Sequence, residues 1–461
     1  MLKPLLILIF IFSAATLTAR EEHRYDVLMA GMPAGEILDI WEEISGGGAC
    51  IVRATSDMRV VLARGGSELQ MRTKTVAEAD CGTYRPRTLT VERDEGGGPV
   101  VTKARRDGDT LISTTEKNGV IEKGSLSLGP DAVFFGMLFR KYPNSFFQKK
   151  GTVSAISEEG LVAREVSFDG RRTGNDLAVD MVYEGVPMSF TVRGALVTGA
   201  VMSGGIIVYQ LRGAPAATPP SPEKKNADVL AATAIENSGI AVKQPRRVTR
   251  LVMSIEKAPA AIPPFCYQSV GQSDAETRTV TVDIAKAPCA GAPTAADTAA
   301  TLYEDKDNPA IKQTAAQWRQ ITDKRTIVKK VIAFVYDHIT DKNYRHGTLS
   351  ASETLAARTG DCTEHATLAA ALLRALGVPV RMTYGLVLSD EGRFFFHNWI
   401  AVHTGEGWIP ADPTFAQFPA DATHLTIAYG GGSTAERENI SLSVLKFLQG
   451  TRITVTGFSH E

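Results

Sequence analysis

The chain reads as an α+β protein in two unlike halves, a mostly antiparallel β region followed by a helix bundle with an antiparallel sheet. Three observations predict this. Short β-branched or alternating runs separated by turn signals fill residues 22–213. A proline- and charge-rich stretch, APAATPPSPEKKNAD, interrupts them at 214–228 and reads as an extended, solvated linker. From about residue 305 the apolar spacing changes to a helical period. At 461 residues the chain exceeds one ordinary core, and roughly 150 residues per domain suggests about three units.

Residues 1–19, MLKPLLILIFIFSAATLTA, place Lys3 before an apolar run, Leu5 to Phe12, and small residues before Arg20. That is the layout of a secretory signal peptide cut near Ala15 or Ala19. The run is short for a membrane span of ~20 residues, so no stable membrane anchor is expected after cleavage. The first cysteine, Cys50, lies far from the cleavage point, which argues against a lipid-modified N-terminus. An extracytoplasmic location, periplasmic or secreted, is therefore expected. With 50 Lys+Arg against 51 Asp+Glu, nothing favours nucleic acid or an anionic membrane surface.

Residues 20–213 form a β-rich domain of unknown function. Runs such as ACIVRATSDMRVVLA, RTLTVERD and MSFTVRGALVTGAVM alternate with the turn signals EGGG, DGD, Asn118-Gly119 and FDG. Such a pattern predicts an antiparallel barrel or sandwich. VFFGMLF, at Val133–Phe139, is too short to span a membrane and reads as core. The opening RYDVLMAGMPAGEI resembles the start of β-rich periplasmic domains of unassigned function. No cluster of His, Asp or Ser here points to chemistry. Residues 229–300 return to strand-like runs, RRVTRLVMSIE and RTVTVDIA, expected to pack on the core that follows.

Exported chains can form disulfides. Local pairing of the five cysteines gives Cys50–Cys81 and Cys266–Cys289 and leaves Cys362 over.

In the C-terminal part, Asn308-Pro309 marks a helix start, with proline at the first helical position. Ile327, Val328, Val331, Ile332, Val335 and Ile339 share one face of a helix over 324–340. Ser350 and Glu353 form a capping box opening SASETLAAR, which stops at Gly360. Asp361 then caps a further helix, with Glu364 at its third position, running to Leu376 and ended by Gly377 and Pro379. Three strands follow, VPVRMTYGLVL, RFFFHNWIAVH and WIPADPT, joined by short turns as antiparallel neighbours.

Cys362 stands in the first turn of that capped helix. A helix N-terminus favours a thiolate through its dipole and free N–H groups, which can also hold an oxyanion. Asp361 and Glu364 oppose this, so the reading requires a histidine. His397 in FFFHNWIAV is the candidate base, and Asp412 in PADPT can orient it. A turn at Thr404-Gly405 puts His397 opposite Asp412, and one at Gly405-Glu406 puts it opposite Thr414; either leaves the pair close on one face.

GDCTEHA, HNW and ADPT resemble the cysteine, histidine and aspartate motifs of the transglutaminase-like superfamily, especially its exported bacterial members, as does QFPADATHL at 417–425. The resemblance covers about 305–430. It implies a papain-like core of helices and antiparallel sheet over a cysteine domain at 301–461, and acyl transfer through a thioester. Carried over by position, Cys362 is the nucleophile, His397 the base and Asp412 the orienting carboxylate. Trp399 matches the aromatic residue after the family histidine and reads as core or as active-site lining. His365, three residues beyond Cys362, is a rival base without a carboxylate to orient it, and otherwise a neighbour of the thiol. Asp361 is a helix cap in any case. His397, His403 and His424 lack regular ligand spacing, so no metal is expected. The acidic EDKDNP lacks the glycine and distal Glu of a calcium loop, and no cofactor is expected.

These readings converge on an exported thiol enzyme, a peptidase or amidase with water as acceptor or a cross-linker with an amine. Peptides, envelope proteins or cell-wall peptides are the candidate substrates. A non-catalytic binding or assembly protein with a vestigial cysteine domain is the alternative from another class.

Overall fold

A computed structural model describes residues 16–46, 48–202, 205–213, 228–257, 262–274, 276–447 and 450–460. The expected signal peptide up to Ala15, and the proline-rich stretch up to Ala227, lie outside the described residues.

The β region is one antiparallel sheet of 14 strands rather than two packed sheets. It consists of two meanders. The first runs from Thr16–Met29 to Val120–Ser127 and the second from Gly151–Ile156 to Ile207–Leu211. They join where Thr16–Met29 pairs with Met32–Gly46 on one side and Ile207–Leu211 on the other. Between the meanders lie short helical turns, and Val133, Phe134, Met137, Leu138 and Phe147 are almost wholly buried. They share a core with Leu89 and Leu111 of the first meander and Val166, Val179 and Val192 of the second, which draws both wings around them. Each such side chain contributes about 1.5–3 kcal/mol by leaving water. VFFGMLF is core, as its composition predicts.

In the C-terminal region the helix starts fall where the caps place them. Asn308 caps Pro309–Ala315, Asp323 caps Lys324–His338, and Ser350 with Glu353 closes a capping box on Ala351–Ala357. The last ends three residues before Gly360, because Arg358 turns into the left-handed conformation, φ 56°. The helix Cys362–Ala375 is central, buried from Glu364 to Arg374. It packs on these three helices and on strands Val380–Leu388 and Arg393–His403. Arg374, in its last turn, donates to the carbonyls of Ala299, Val380 and Gly431, tying helix to sheet.

Strands Val248–Glu256, Gln268–Gln272, Thr277–Asp283 and Arg452–His460 form a second sheet, whose Leu251, Met253, Ile255, Val280 and Val455 enter the same core as these helices. Among the described residues, no helix is long and apolar enough to cross a membrane.

Cys50 and Cys81 are bonded, 5.4 Å apart at Cα. The expected Cys266–Cys289 disulfide is not formed, and this is a correction. The two thiols are free but in hydrogen-bonding contact, packed on Phe265, Ala401 and Trp408. Sequence proximity brought them together, while burial against aromatic surface and the S–H contact satisfy them without a bond.

Candidate active site

The cysteine helix begins under tight local constraint. Asp361 accepts from Thr363 N at 2.7 Å, and Glu364 reaches back to Asp361 N at 2.9 Å. Gly360 sits at φ +145°, and a Cβ there would lie 2.3 Å from the Glu364 side chain. Only glycine therefore admits the capping box that precedes Cys362. Cys362, the first helical residue, is partly exposed, and the backbone N–H of Asn398 donates toward its sulfur.

That contact sets the nucleophile candidate beside the histidine strand, Arg393–His403. His397 Nε2 donates to Asp412 Oδ2 at 2.8 Å. This leaves Nδ1 of a neutral His397 ring as a bare acceptor. His403 pairs with Trp408 and Ile400 with Ala411, the register of a turn at Gly405-Glu406. Asp412 leaves the strand at that point and closes a tight loop with Gln417, its amide donating to the Gln417 carbonyl at 2.9 Å. Its other oxygen accepts from Thr414 N at 2.7 Å.

Asp412 serves a second histidine. His424 Nε2 donates to the same Oδ2 at 2.9 Å, while its Nδ1 donates to the Asp421 carbonyl at 2.9 Å. Both ring nitrogens thus donate, which is the pattern of an imidazolium. Burial opposes that charge, but Asp421 and Asp412 outweigh it and raise His424 to about 9. Asp412 is wholly buried, yet His397 and His424 together hold it well below the ordinary carboxylate range. Trp399 is buried, its ring 5.9 Å from His397 and 5.1 Å from His424, so it braces the pair from below. Phe415 stacks on His397 from the exposed side at 5.2 Å.

His365 is buried with Nδ1 donating to its own helix's Asp361 carbonyl at 2.6 Å. His403 lies at the far end of its strand, edge-on to Trp408. The structure brings together Cys362, His397, Asp412, Asp361 and Trp399, and adds His424, which the sequence shows only within QFPADATHL and without regular ligand spacing.

The larger omission is Arg64, from the β region. It ends the strand Ala49–Arg64, and Gly65-Gly66 returns the chain into Ser67–Asp80 with both φ values positive, 55° and 76°. The turn abuts Tyr344 so closely that a Cβ on Gly65 would lie 2.2 Å from its ring. Arg64 lies over that ring at 5.2 Å and pairs with Asp361 Oδ2 at 3.0 Å. Burial works against the guanidinium charge, but Asp361, Cys362 and Glu364 outweigh it and hold Arg64 above its ordinary value.

The thiol feels all of these groups. Burial pushes Cys362 well above its usual range, Asp361 adds to this, and Arg64 with the Asn398 N–H pulls it down. Burial and Asp361 also push the Glu364 carboxyl up, toward its neutral form. Of the two carboxylates flanking the thiol, one is thus driven toward neutrality and the other is paired.

Cys362, Thr363, His397 and Asn398 open onto a cavity of about 490 Å³ between the two halves. The β region supplies Arg64, Arg93 and Val100 to its wall, and the helix Thr434–Phe447 supplies Arg437, Ile440 and Val444.

Residues 312–413 match the family described as the Transglutaminase-like superfamily, a span that includes Cys362, His397 and Asp412 and stops before His424. No curated protein matches the chain. A candidate cysteine protease from Cytophaga hutchinsonii is 16% identical, over 46% of this chain and 86% of its own, with a TM-score of 0.27. The periplasmic domain of TgpA from Pseudomonas aeruginosa, bound to ethylmercury, is 14% identical over 40% and 89%, with a TM-score of 0.26. A beta-barrel-like protein of domain of unknown function DUF1849 from Brucella abortus is 11% identical over 43% and 96%, with a TM-score of 0.30. The C-terminal region of this chain carries a transglutaminase-like superfamily domain at residues 312–413.

Proposed function

We propose that the protein is an extracytoplasmic thiol enzyme that opens a peptide or carboxamide carbonyl through a thioester on Cys362, with hydrolysis slightly favoured over transfer to an amine. One observation carries the reading. Cys362, at a helix N-terminus, opens onto the same cavity as His397, whose other ring nitrogen is engaged by buried Asp412.

The roles follow from the hydrogen bonds. The Cys362 proton passes to His397 Nδ1, and the imidazolium so formed is stabilised by Asp412. The sulfur attacks the carbonyl carbon while the Cys362 N–H, at a helix position with no intrahelical acceptor, faces the developing oxyanion. The C–N bond breaks as His397 returns the proton to the leaving nitrogen. Water then adds to the thioester, regenerating the thiol and releasing a carboxylic acid; an amine in its place gives a new amide. Water is always present outside the cytoplasm, which tips the balance toward a peptidase or amidase. The signal-peptide pattern and the Cys50–Cys81 bond support export. Peptides of envelope proteins or of the cell wall are the proposed substrates.

The test is mass spectrometry of glutamine-containing peptides incubated with wild type and Cys362→Ala, with and without added amine. Fragmentation that requires Cys362 supports hydrolysis, a gain of about one dalton on glutamine means deamidation, and amine addition means transfer. Peptides left unchanged by wild type, together with a Cys362 that iodoacetamide modifies no faster than a free thiol, would leave a binding or assembly protein.

A further inference from the structure

The capping box creates a conflict at the nucleophile. A helix that starts at Cys362 needs a side-chain acceptor at position 361, and Asp361 supplies one. The same carboxylate stands beside the sulfur, where its charge opposes a thiolate. Nothing within the capping box removes that charge, because Glu364, its partner there, is itself an acid. The group that meets it comes from the other half of the molecule. Arg64 stands immediately before the two-residue hairpin turn Gly65-Gly66 of the β region, reaches Asp361 Oδ2 at 3.0 Å, and lines the cavity onto which Cys362 opens.

The placement of Arg64 is built rather than incidental. The hairpin tip is held by Tyr344, against which Gly65 fits only without a side chain, and by Gly66 N donating to Asp228 at 3.1 Å. Two further hairpins of the sheet also dock on the helices. Lys117, 1% exposed, pairs with Glu353 at 3.1 Å, and Gly98 N donates to Glu353 at 2.7 Å.

We infer that Arg64 is a positioning residue of the catalytic centre: the N-terminal sheet delivers a guanidinium that neutralises the helix-cap carboxylate and thereby lets Cys362 ionise. The inference rests on the thiol reading of Cys362 given above. The groups facing the sulfur are Asp361 and Glu364 from its own helix, His397 and the Asn398 N–H from the histidine strand, Tyr344 from the preceding loop, and Arg64. Arg93 and Arg437 on the far cavity wall are already paired, with Glu159 and Glu304. Arg64 is thus the cation placed to answer Asp361.

The test uses the full chain and reads the rate of iodoacetamide modification of Cys362 from pH 5 to 10, by mass spectrometry of the peptide that carries it. Arg64→Gln is expected to move the rise in rate to higher pH and slow modification at neutral pH by about tenfold. Arg64→Lys keeps the charge and should stay near wild type. The decisive variant is Arg64→Gln combined with Asp361→Asn. Asparagine caps a helix as well as aspartate does but carries no charge, so the double variant should recover the wild-type profile. An unshifted profile in Arg64→Gln, a lysine variant as slow as the glutamine one, or a double variant no faster than Arg64→Gln would overturn the inference. Should Arg64→Gln fail to fold, Asp361→Asn alone decides, since loss of the cap's charge should shift the rise to lower pH and an unshifted profile refutes the idea. The catalytic reading fails separately, if wild-type Cys362 reacts no faster than a free thiol; the shifts between variants remain readable in that case.

Discussion

The C-terminal core and the N-terminal sheet reach the shared cavity by different physics. In the core, the groups that meet are near neighbours in the chain or across one hairpin. Asp361, Cys362 and Glu364 share a helix turn, and His397, Asp412 and His424 come from the two strands flanking Val380–Leu388 and a tight loop. Their geometry follows from capping, register and burial within the core. The sheet contributes through docking, by a hairpin tip, a buried lysine and a few backbone contacts. The core is therefore expected to set whether the chemistry happens, and the sheet to set the charge around it and part of the stability.

The widest separation between the halves should appear in kinetics. Removing the proton acceptor by His397→Ala is expected to lower Cys362-dependent turnover by about 10²–10⁴-fold. Asp412→Asn should fall in the same range, because asparagine cannot stabilise the imidazolium and can present the wrong hydrogen-bonding pattern to it. Steady-state kcat/KM on a cleaved or deamidated peptide measures both. Retention of wild-type rate in either would break the claim that the core's local geometry carries the chemistry.

Lys117→Met makes the opposite cut. It leaves Glu353 at the docking face without its buried partner, and breaking such a pair costs about 3–5 kcal/mol. Burial opposes the Glu353 charge, yet the Ser350 N–H, Asn118, Gly98 and Lys117 hold that carboxyl down at about 2, so without Lys117 it keeps its hydrogen bonds but loses its countercharge. A lowered denaturant midpoint is expected, while folded protein keeps the wild-type rate of Cys362 alkylation. A fall in that rate as well would show that docking contributes to the chemistry by more than Arg64.

The cysteine pairs give a smaller contrast. Opening the Cys50–Cys81 bond by double serine substitution should cost about 2–4 kcal/mol, since the bridge closes a loop with a sequence separation of 31. Cys266→Ala removes one small thiol from a contact with Trp408 and should cost about 1 kcal/mol. Thermal melting under non-reducing conditions ranks the two, and an equal loss would mean that Cys266 and Cys289 are bonded in solution.

What was legible in the sequence divides along the same line. The Ser350 and Asp361 caps, the 324–338 helix face and the hairpin carrying His397 all arise from interactions within a few residues, which spacing reports directly. The exact partner across that hairpin was not legible, because a one-residue change of turn flips the pairing, and Asp412 in fact leaves the strand to reach His397 from the loop. His424 had no visible role in the sequence, because its meeting with Asp412 depends on where that loop returns. Arg64 left no signal at all. It is one of many arginines in a region of long strands, and only the packing of Gly65 on Tyr344 distinguishes it. Cys266 and Cys289 were placed together correctly, but proximity does not decide whether two thiols oxidise.

The last contrast is a pair of separate pH windows, one for each half. In the core, burial disfavours the His424 charge but Asp421 and Asp412 hold it up to about 9. Between the unfolded value near 6.5 and about 9 the folded state binds more proton than the unfolded one, so stability falls as pH rises through that range. The loss is roughly 3 kcal/mol at most. In the sheet, burial raises Glu158 to about 7, against the hydrogen bond from Gly136 N. Here the folded state also binds the extra proton, and stability falls as pH rises from about 4.5 to about 7. Denaturant titrations across pH 4 to 10 should show the upper decline flattened in His424→Gln and the lower one flattened in Glu158→Gln. If His424→Gln altered the lower window instead, the charge assigned to the histidine bridging Asp412 and Asp421 would be wrong, and Asp412 would have only His397 to hold it ionised.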